Sequence, residues 1–204
     1  MIETKATFET TCEEFRSKMI DLDLTEVSQR IGARLSNGSL IVPFFEQPYR
    51  VSLAGVFDPS GKAASPAVSV ALYTYLFRCP EQLPPENDWL TFREFKDSGP
   101  LAGFFTANTN RLIASRFSEK LTGLEKACRS LGAKCEAGDT AYDLTMTFNA
   151  FPRVPLSLRF NDRDEDLPAQ SVMLFQESAE ACLDLQAMII LGTFLTGNLI
   201  RFDF

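Results

Sequence analysis

The 204-residue chain contains no histidine. That single absence removes Ser-His and Cys-His nucleophiles, imidazole metal ligands and any histidine pH switch. Runs of lysine or arginine are also missing. The 20 basic residues are scattered against 27 acidic ones, for a net charge of −7 and a pI near 4.8. Such a surface repels a phosphate backbone and an anionic lipid headgroup alike, so neither nucleic acid nor a membrane is an expected partner. No uncharged apolar run reaches the ~20 residues of a spanning helix. The longest near the end, Leu185 to Ile200 between Asp184 and Arg201, includes Gln186, Thr193, Thr196 and Asn198 and reads as a buried core helix. Met1 to Phe15 lacks the basic start and apolar core of a signal peptide, which predicts a cytoplasmic protein. The five cysteines, Cys12, Cys79, Cys128, Cys135 and Cys182, form no C-x-x-C pair. Neither a zinc nor an iron–sulfur motif is therefore encoded, and the thiols read as small core hydrophobes. G-x-G-x-x-G and G-x-S-x-G are absent. The nearest echo of a phosphate loop, Gly55 to Lys62, is one residue too long and has Ala63 in place of the magnesium-binding hydroxyl.

What is present is ordinary globular material, 45% apolar and 23% charged. It is enough for one domain over residues 1–204, with 1–20 as a helical N-terminal extension. Thr11-x-x-Glu14 has the spacing of a capping box for a helix bearing Cys12, Phe15 and Met19. Asp23-x-x-Glu26 opens a second helix, which Gly32 stops. Residues 39–45 and 48–54 predict a hairpin in which Pro43 marks an edge or a bulge. Asp58-Pro59-Ser60-Gly61 is a turn by composition. Ser65-Pro66 starts a helix that is apolar nearly all round as far as Phe77, the expected central buried helix. Residues 81–88 read as a loop and Trp89 to Phe95 as a strand. One helix carries Leu101 to Ile113 and another Leu121 to Leu131. Strands follow near 140–149, 154–161 and 170–175 before the apolar C-terminal helix. Helices and strands come in blocks, which predicts an α+β fold: a mainly antiparallel sheet with five or six helices. Phe44, Phe45, Phe104, Phe105 and Phe117 lie at apolar-face positions and are expected in the core.

Without histidine, acid–base chemistry falls to carboxylates, Tyr, Lys or Cys. Polar residues expected at strand ends are candidate ligand-binding groups: Trp89, Arg93, Glu94, Asp139 and Arg153. Arg93 either presents a planar donor to an anion or pairs with Glu94, and the ion pair is the simpler reading. Asp162, Asp164 and Asp166 have the opening spacing of a calcium loop, but Leu167 and Met173 replace its glycine and glutamate. That excludes an EF-hand and leaves Asp162, Asp164 and Glu165 as weak metal candidates. The apolar tail Leu199 to Phe204 would expose two phenylalanines unless covered, which suggests a homodimer.

An ordered set of strings runs along the chain. It comprises Tyr75-Leu76, Trp89 to Glu94, Phe117, Leu131-Gly132, Gly138-Asp139, Phe151 to Pro155, Asp162 with Asp164 to Ala169, and Leu174-Phe175. From roughly Asp21 to Gly192 this resembles the prokaryotic domain of unknown function family numbered 3786. The resemblance implies a setting in the one-carbon or cofactor metabolism of anaerobes, and no established reaction or site. It also implies an iron–sulfur or corrinoid protein as partner, since some relatives carry a four-cysteine module that this chain lacks. Three readings are in play. A small-molecule or cofactor-binding accessory protein ranks first, a protein-interaction module second, and a carboxylate- or metal-dependent enzyme third; the cofactor is left open.

Overall fold

The computed structural model describes residues 5–84, 88–136 and 141–202. The fold is α+β, with two antiparallel sheets and, among the described residues, eight α-helical segments. The first sheet is a meander of β1 (Arg34–Ser36), β2 (Ser39–Phe44), β3 (Gln47–Ser52) and β4 (Gly55–Phe57). The second is built from β5 (Trp89–Thr91), β6 (Lys134–Cys135), β7 (Leu144–Phe151), β8 (Val154–Asn161) and β9 (Gln170–Gln176), in the order β5-β9-β8-β7-β6. The helices are α1 (Lys5–Lys18), α2 (Leu24–Ile31), α3 (Pro66–Arg78), α4 (Gly99–Asn108), α5 (Asn110–Phe117), α6 (Leu121–Ser130), α7 (Ala179–Cys182) and α8 (Leu185–Arg201).

Helix ends follow side-chain chemistry. Asp23 caps α2 by accepting from the N–H groups of Thr25 and Glu26, and Gly32 ends it in the left-handed region at φ 69°. Ser65 caps α3 with Pro66 in its first turn, and Asp184 caps α8 through Ala187 N–H. The capping box read at Thr11 is not one. α1 begins at Lys5, and the Thr11 hydroxyl donates back to the Thr7 carbonyl inside the helix.

The β2–β3 hairpin turns at Phe45-Glu46, two residues earlier than the Pro48 side of the expected loop. Both residues have positive φ (47° and 61°), the sign pattern of a two-residue hairpin turn. Phe45 accepts this strain because its ring is buried against Phe44 and Phe194 and its N–H donates to Ala150 at 3.0 Å. Ala150 lies where the β7–β8 register shifts, so a bulge in one sheet receives the turn of the other. Pro43 faces Pro48, beyond the last residue that β1 covers, where no ladder donor is needed.

The central helix is as expected. Every residue of α3 from Val68 to Leu76 is buried, with α1 on one side (Phe15 stacks on Tyr73 at 5.7 Å and on Phe77 at 5.3 Å) and α8 on another. α8 also packs on α4 and α5, so one buried apolar cluster extends from Met19 to Leu199. Phe44, Phe45, Phe105 and Phe117 are buried in it and Phe104 is half-buried against it. The tail is partly covered too, since Phe202 packs against this core; Phe204 lies outside the described residues.

The single helix expected over 101–113 is broken at Thr109, which raises the helix count. The buried Thr109 hydroxyl donates to the Phe105 carbonyl, and Asn110 Oδ1 accepts the N–H of Met173 on β9, just past the end of β5. Trp89 to Phe95 is only half strand. After Thr91 the chain forms a 3₁₀ turn, Phe92–Glu94. β7 starts at Leu144, later than the expected 140.

Candidate functional site

The end of α2 and the turn between β7 and β8 converge beside the C-terminus of α3. The last carbonyls of a helix have no partner within it. Here two arginines supply them. Arg30, near the end of α2, donates to the carbonyls of Cys79 and Leu76, the latter at 3.2 Å. Arg153 occupies the two-residue turn between β7 and β8, where Pro152 sets the entry. Its guanidinium donates to Arg30 O at 2.7 Å, to Pro80 O, and to Glu81 O at 3.0 Å. The Pro152 side chain crowds Gly32, where an added Cβ would lie 2.9 Å from Pro152 Cβ. Tyr75, fully buried, donates to Ile31 O at 2.7 Å and stacks on Phe151 with ring centres 4.3 Å apart and planes 2° from parallel. Two helix C-termini are thereby neutralised by two cations.

Cys79 lies at this junction as the C-terminal cap of α3, stopped by Pro80. Its Sγ is 3.0 Å from Cys182 Sγ, with the Cys182 thiol donating, and 3.8 Å from Arg153 Nη1. Donation from Cys182 and, against the opposing effect of burial, the charge of Arg153 draw the Cys79 thiol down to about 7. The same contact and burial push the Cys182 thiol upward.

Next to this pair in the chain, a cleft of about 640 Å³ opens between the end of α3, α7 and the start of α8. Phe95, Leu183, Leu185 and Met188 form apolar lining, and Arg78, Lys96, Asp97, Glu177 and Glu180 supply charge around it. Arg78 ties two walls together by donating to Glu180 O at 3.3 Å. Asp97 has a left-handed backbone, φ 61°.

The residues singled out from sequence are distributed as follows. Arg153 is at the arginine–thiol junction. Trp89 is half-buried on β5, the edge strand of the second sheet. Glu94 does not pair with Arg93. Its carboxylate accepts both the N–H and the hydroxyl of Thr91 at 2.7 Å, a capping box that holds its pKa below the usual range. Arg93 is exposed, and its carbonyl accepts the Ser98 hydroxyl. The next three residues, Phe95 to Asp97, line the cleft instead. Asp139 lies outside the described residues. Asp162 Oδ1 accepts the N–H groups of Glu119 and Arg163, and Asp164 Oδ1 those of Asp166 and Leu167; Glu165 is exposed. Among the described residues no group of three or more His, Cys, Asp or Glu is arranged to hold a metal ion. Sequence reasoning missed Arg78, Cys79, Lys96, Glu177, Glu180 and Cys182. The available signal was Arg78-Cys79-Pro80, an arginine and a thiol at the stop of an otherwise apolar helix.

No helix among the described residues is long and apolar enough to cross a membrane. No curated protein and no solved structure matches the chain. A family model described as Domain of unknown function (DUF3786) matches residues 23–198, from the cap of α2 almost to the end of α8, and the chain belongs to that family.

Proposed function

We propose that the protein is a small-molecule or cofactor-binding accessory protein whose ligand occupies the cleft between α3, α7 and α8. The observation that supports this reading is the cleft itself. It combines a volume of about 640 Å³ with an apolar lining and convergent charges, the composition of a small-molecule site. Carboxylates outnumber the cations Arg78 and Lys96 around it, which favours an amphipathic ligand bearing an amine, cationic or zwitterionic, over an anion. A cytoplasmic location and a role in anaerobic metabolism rest on the family resemblance.

The test is native mass spectrometry of protein purified gently without oxygen, together with thermal shift against amine-bearing amphipathic metabolites. Extra mass lost on denaturation, or a saturable rise in melting temperature, is expected. Ala181→Trp, which fills the cleft from a half-buried position, should abolish both. A clean mass with no stabilising compound, or a shift that survives Ala181→Trp, overturns the cleft as the site. A clean mass of twice the monomer would favour a homodimeric interaction module instead.

A further inference from the structure

Cys79 and Cys182 are separated by 103 residues and meet with their sulfurs 3.0 Å apart. That is inside ordinary contact for two sulfurs and about 1 Å beyond the ~2.04 Å of a disulfide. Both residues are 0% exposed. Packing accounts for two small apolar side chains in a core, but these two have a guanidinium beside them. Arg153 Nη1 is 3.8 Å from Cys79 Sγ, and Arg30 is bound to the carbonyl of Cys79 itself. A thiol flanked by cations and donated to by a second thiol favours its ionised, nucleophilic form. The other three thiols are placed differently. Cys12 donates to Pro66 O at 3.5 Å, Cys128 is buried with its thiol held protonated by desolvation, and Cys135 is exposed.

The approach to the pair from the arginine side is short. A polar recess of about 470 Å³ is lined by Arg30, Gly32, Glu81 and Arg153, and Arg153 is the residue that touches Cys79. Both sulfurs are sealed from bulk solvent, so only a reagent about the size of water can pass from that recess beside Arg153 to Cys79 without opening the fold. Hydrogen peroxide fits this requirement and a tripeptide disulfide does not.

We propose that Cys79 and Cys182 form a dithiol that reacts with hydrogen peroxide, Cys79 attacking and Cys182 resolving. The Cys79 thiolate attacks one peroxide oxygen, the O–O bond breaks, and hydroxide leaves. The product is a sulfenic acid, Cys79–S–OH, and the proton earlier released by Cys79 converts the hydroxide to water. Cys182 sulfur then attacks the sulfenic sulfur. The S–O bond breaks, and the departing hydroxide takes the Cys182 thiol proton as a second water. In sum, two thiols and one peroxide give one disulfide and two waters, with two electrons moved from sulfur to oxygen. The disulfide bonds the C-terminal cap of α3 to the last residue of α7. Arg153 is a positioning residue here, since it acts through the charge it presents to Cys79. The dithiol does not depend on what the neighbouring cleft binds.

The experiment uses the reduced full-length chain. It is treated with hydrogen peroxide, quenched with catalase, denatured and alkylated, and its free thiols are counted by intact mass. Three of the five cysteines should alkylate, the mass should fall by two hydrogens, and digestion should give a Cys79–Cys182 cross-linked peptide. Dithiothreitol should restore all five. Oxidised glutathione at equal concentration should leave both buried thiols free. In Cys182→Ala, peroxide treatment followed by unfolding in the presence of dimedone should label Cys79; in Arg153→Met, disulfide formation should slow while the pairing stays the same. Five alkylated thiols after peroxide treatment, or pairing that involves Cys12 or Cys135, overturns the proposal. Equal reaction with oxidised glutathione overturns the peroxide selectivity. The wild-type thiol count and peptide map decide the matter even if a variant fails to fold.

Discussion

Replacing Arg153 by methionine removes a cation that holds three chain segments together while keeping much of the side chain's apolar length. Arg153 donates to the carbonyls of Arg30, Pro80 and Glu81. The bond to Glu81 is exposed and is discounted to near zero; the other two are part-buried. A hydrogen bond to a charged group contributes roughly 1.5–3 kcal/mol where water is excluded. Two of them give about 3–6 kcal/mol gross, reduced to about 3 kcal/mol because the freed carbonyls near the recess regain some water. With a urea m-value of about 2 kcal/mol/M, the midpoint of unfolding should fall by about 1.5 M. Arg153→Lys keeps the charge without the planar fork, so it reaches one carbonyl rather than three and should recover only about 1 kcal/mol. The assay is equilibrium urea unfolding followed by tyrosine fluorescence and far-UV circular dichroism, in reductant. If Arg153→Met shifts stability by less than about 0.5 kcal/mol, or if Arg153→Lys matches the parent, the guanidinium is not what joins the ends of α2 and α3 to the β7–β8 turn.

The pH dependence of stability carries the signature of the thiols. Cys79 ionises near pH 7 in the folded chain, against an ordinary value of 9.0. The unfolded chain therefore holds the proton that the folded chain has lost. Stability should rise between about pH 7 and 9, by at most about 1.4 kcal/mol per pH unit, and the gain should disappear as pH falls through 7. Above pH 9 the raised thiols of Cys128 and Cys182 reverse the sign, because the folded chain keeps protons that the unfolded chain releases. Cys79→Ala should flatten the lower limb in anaerobic urea titrations; an unchanged slope would show that Cys79 is not depressed. In α8, Gly192→Ala places a Cβ 2.6 Å from Phe105 Cε2 and 3.2 Å from Thr109 Cγ2, where overpacking should cost about 2 kcal/mol. Gly197→Ala meets nothing within 4 Å and should stabilise by roughly 0.5–1 kcal/mol, so calorimetry should move the two melting temperatures in opposite directions.

The fold class and most of the elements were legible because their signals are local. Asp23 and Ser65 cap helices whose starts their side-chain chemistry announces. The uninterrupted apolar run of Val68 to Leu76 marks a helix covered on all sides. Gly32 and Gly132 stop helices at positive φ, where other residues are strained. Errors came where tertiary contacts outweigh local pattern. Phe45 takes a left-handed turn because Ala150 accepts its N–H, and the helix after Gly99 breaks at Thr109 because Gly192 of α8 lets that junction pack close and β9 needs the Asn110 side chain.

The candidate site divides along the same line. Arg153 was legible as a polar residue at a strand end, since a proline-led turn between two β runs fixes its neighbourhood in the chain. Which carbonyls it would meet was not, because Arg30, Pro80 and Glu81 belong to segments at least 72 residues away. Glu94 looked like a ligand because one sequence cannot distinguish a free carboxylate from one spent on a cap three residues upstream. Cysteine composition excluded metal motifs, but five thiols of ordinary spacing do not reveal which two touch. The sequence by itself determined the capped, acidic, histidine-free α+β chain, because capping, periodicity and charge act over a few residues. Only the tertiary structure set Cys79 against Cys182 under two arginines, because that contact depends on how the end of α3, the β7–β8 turn and α7 pack together.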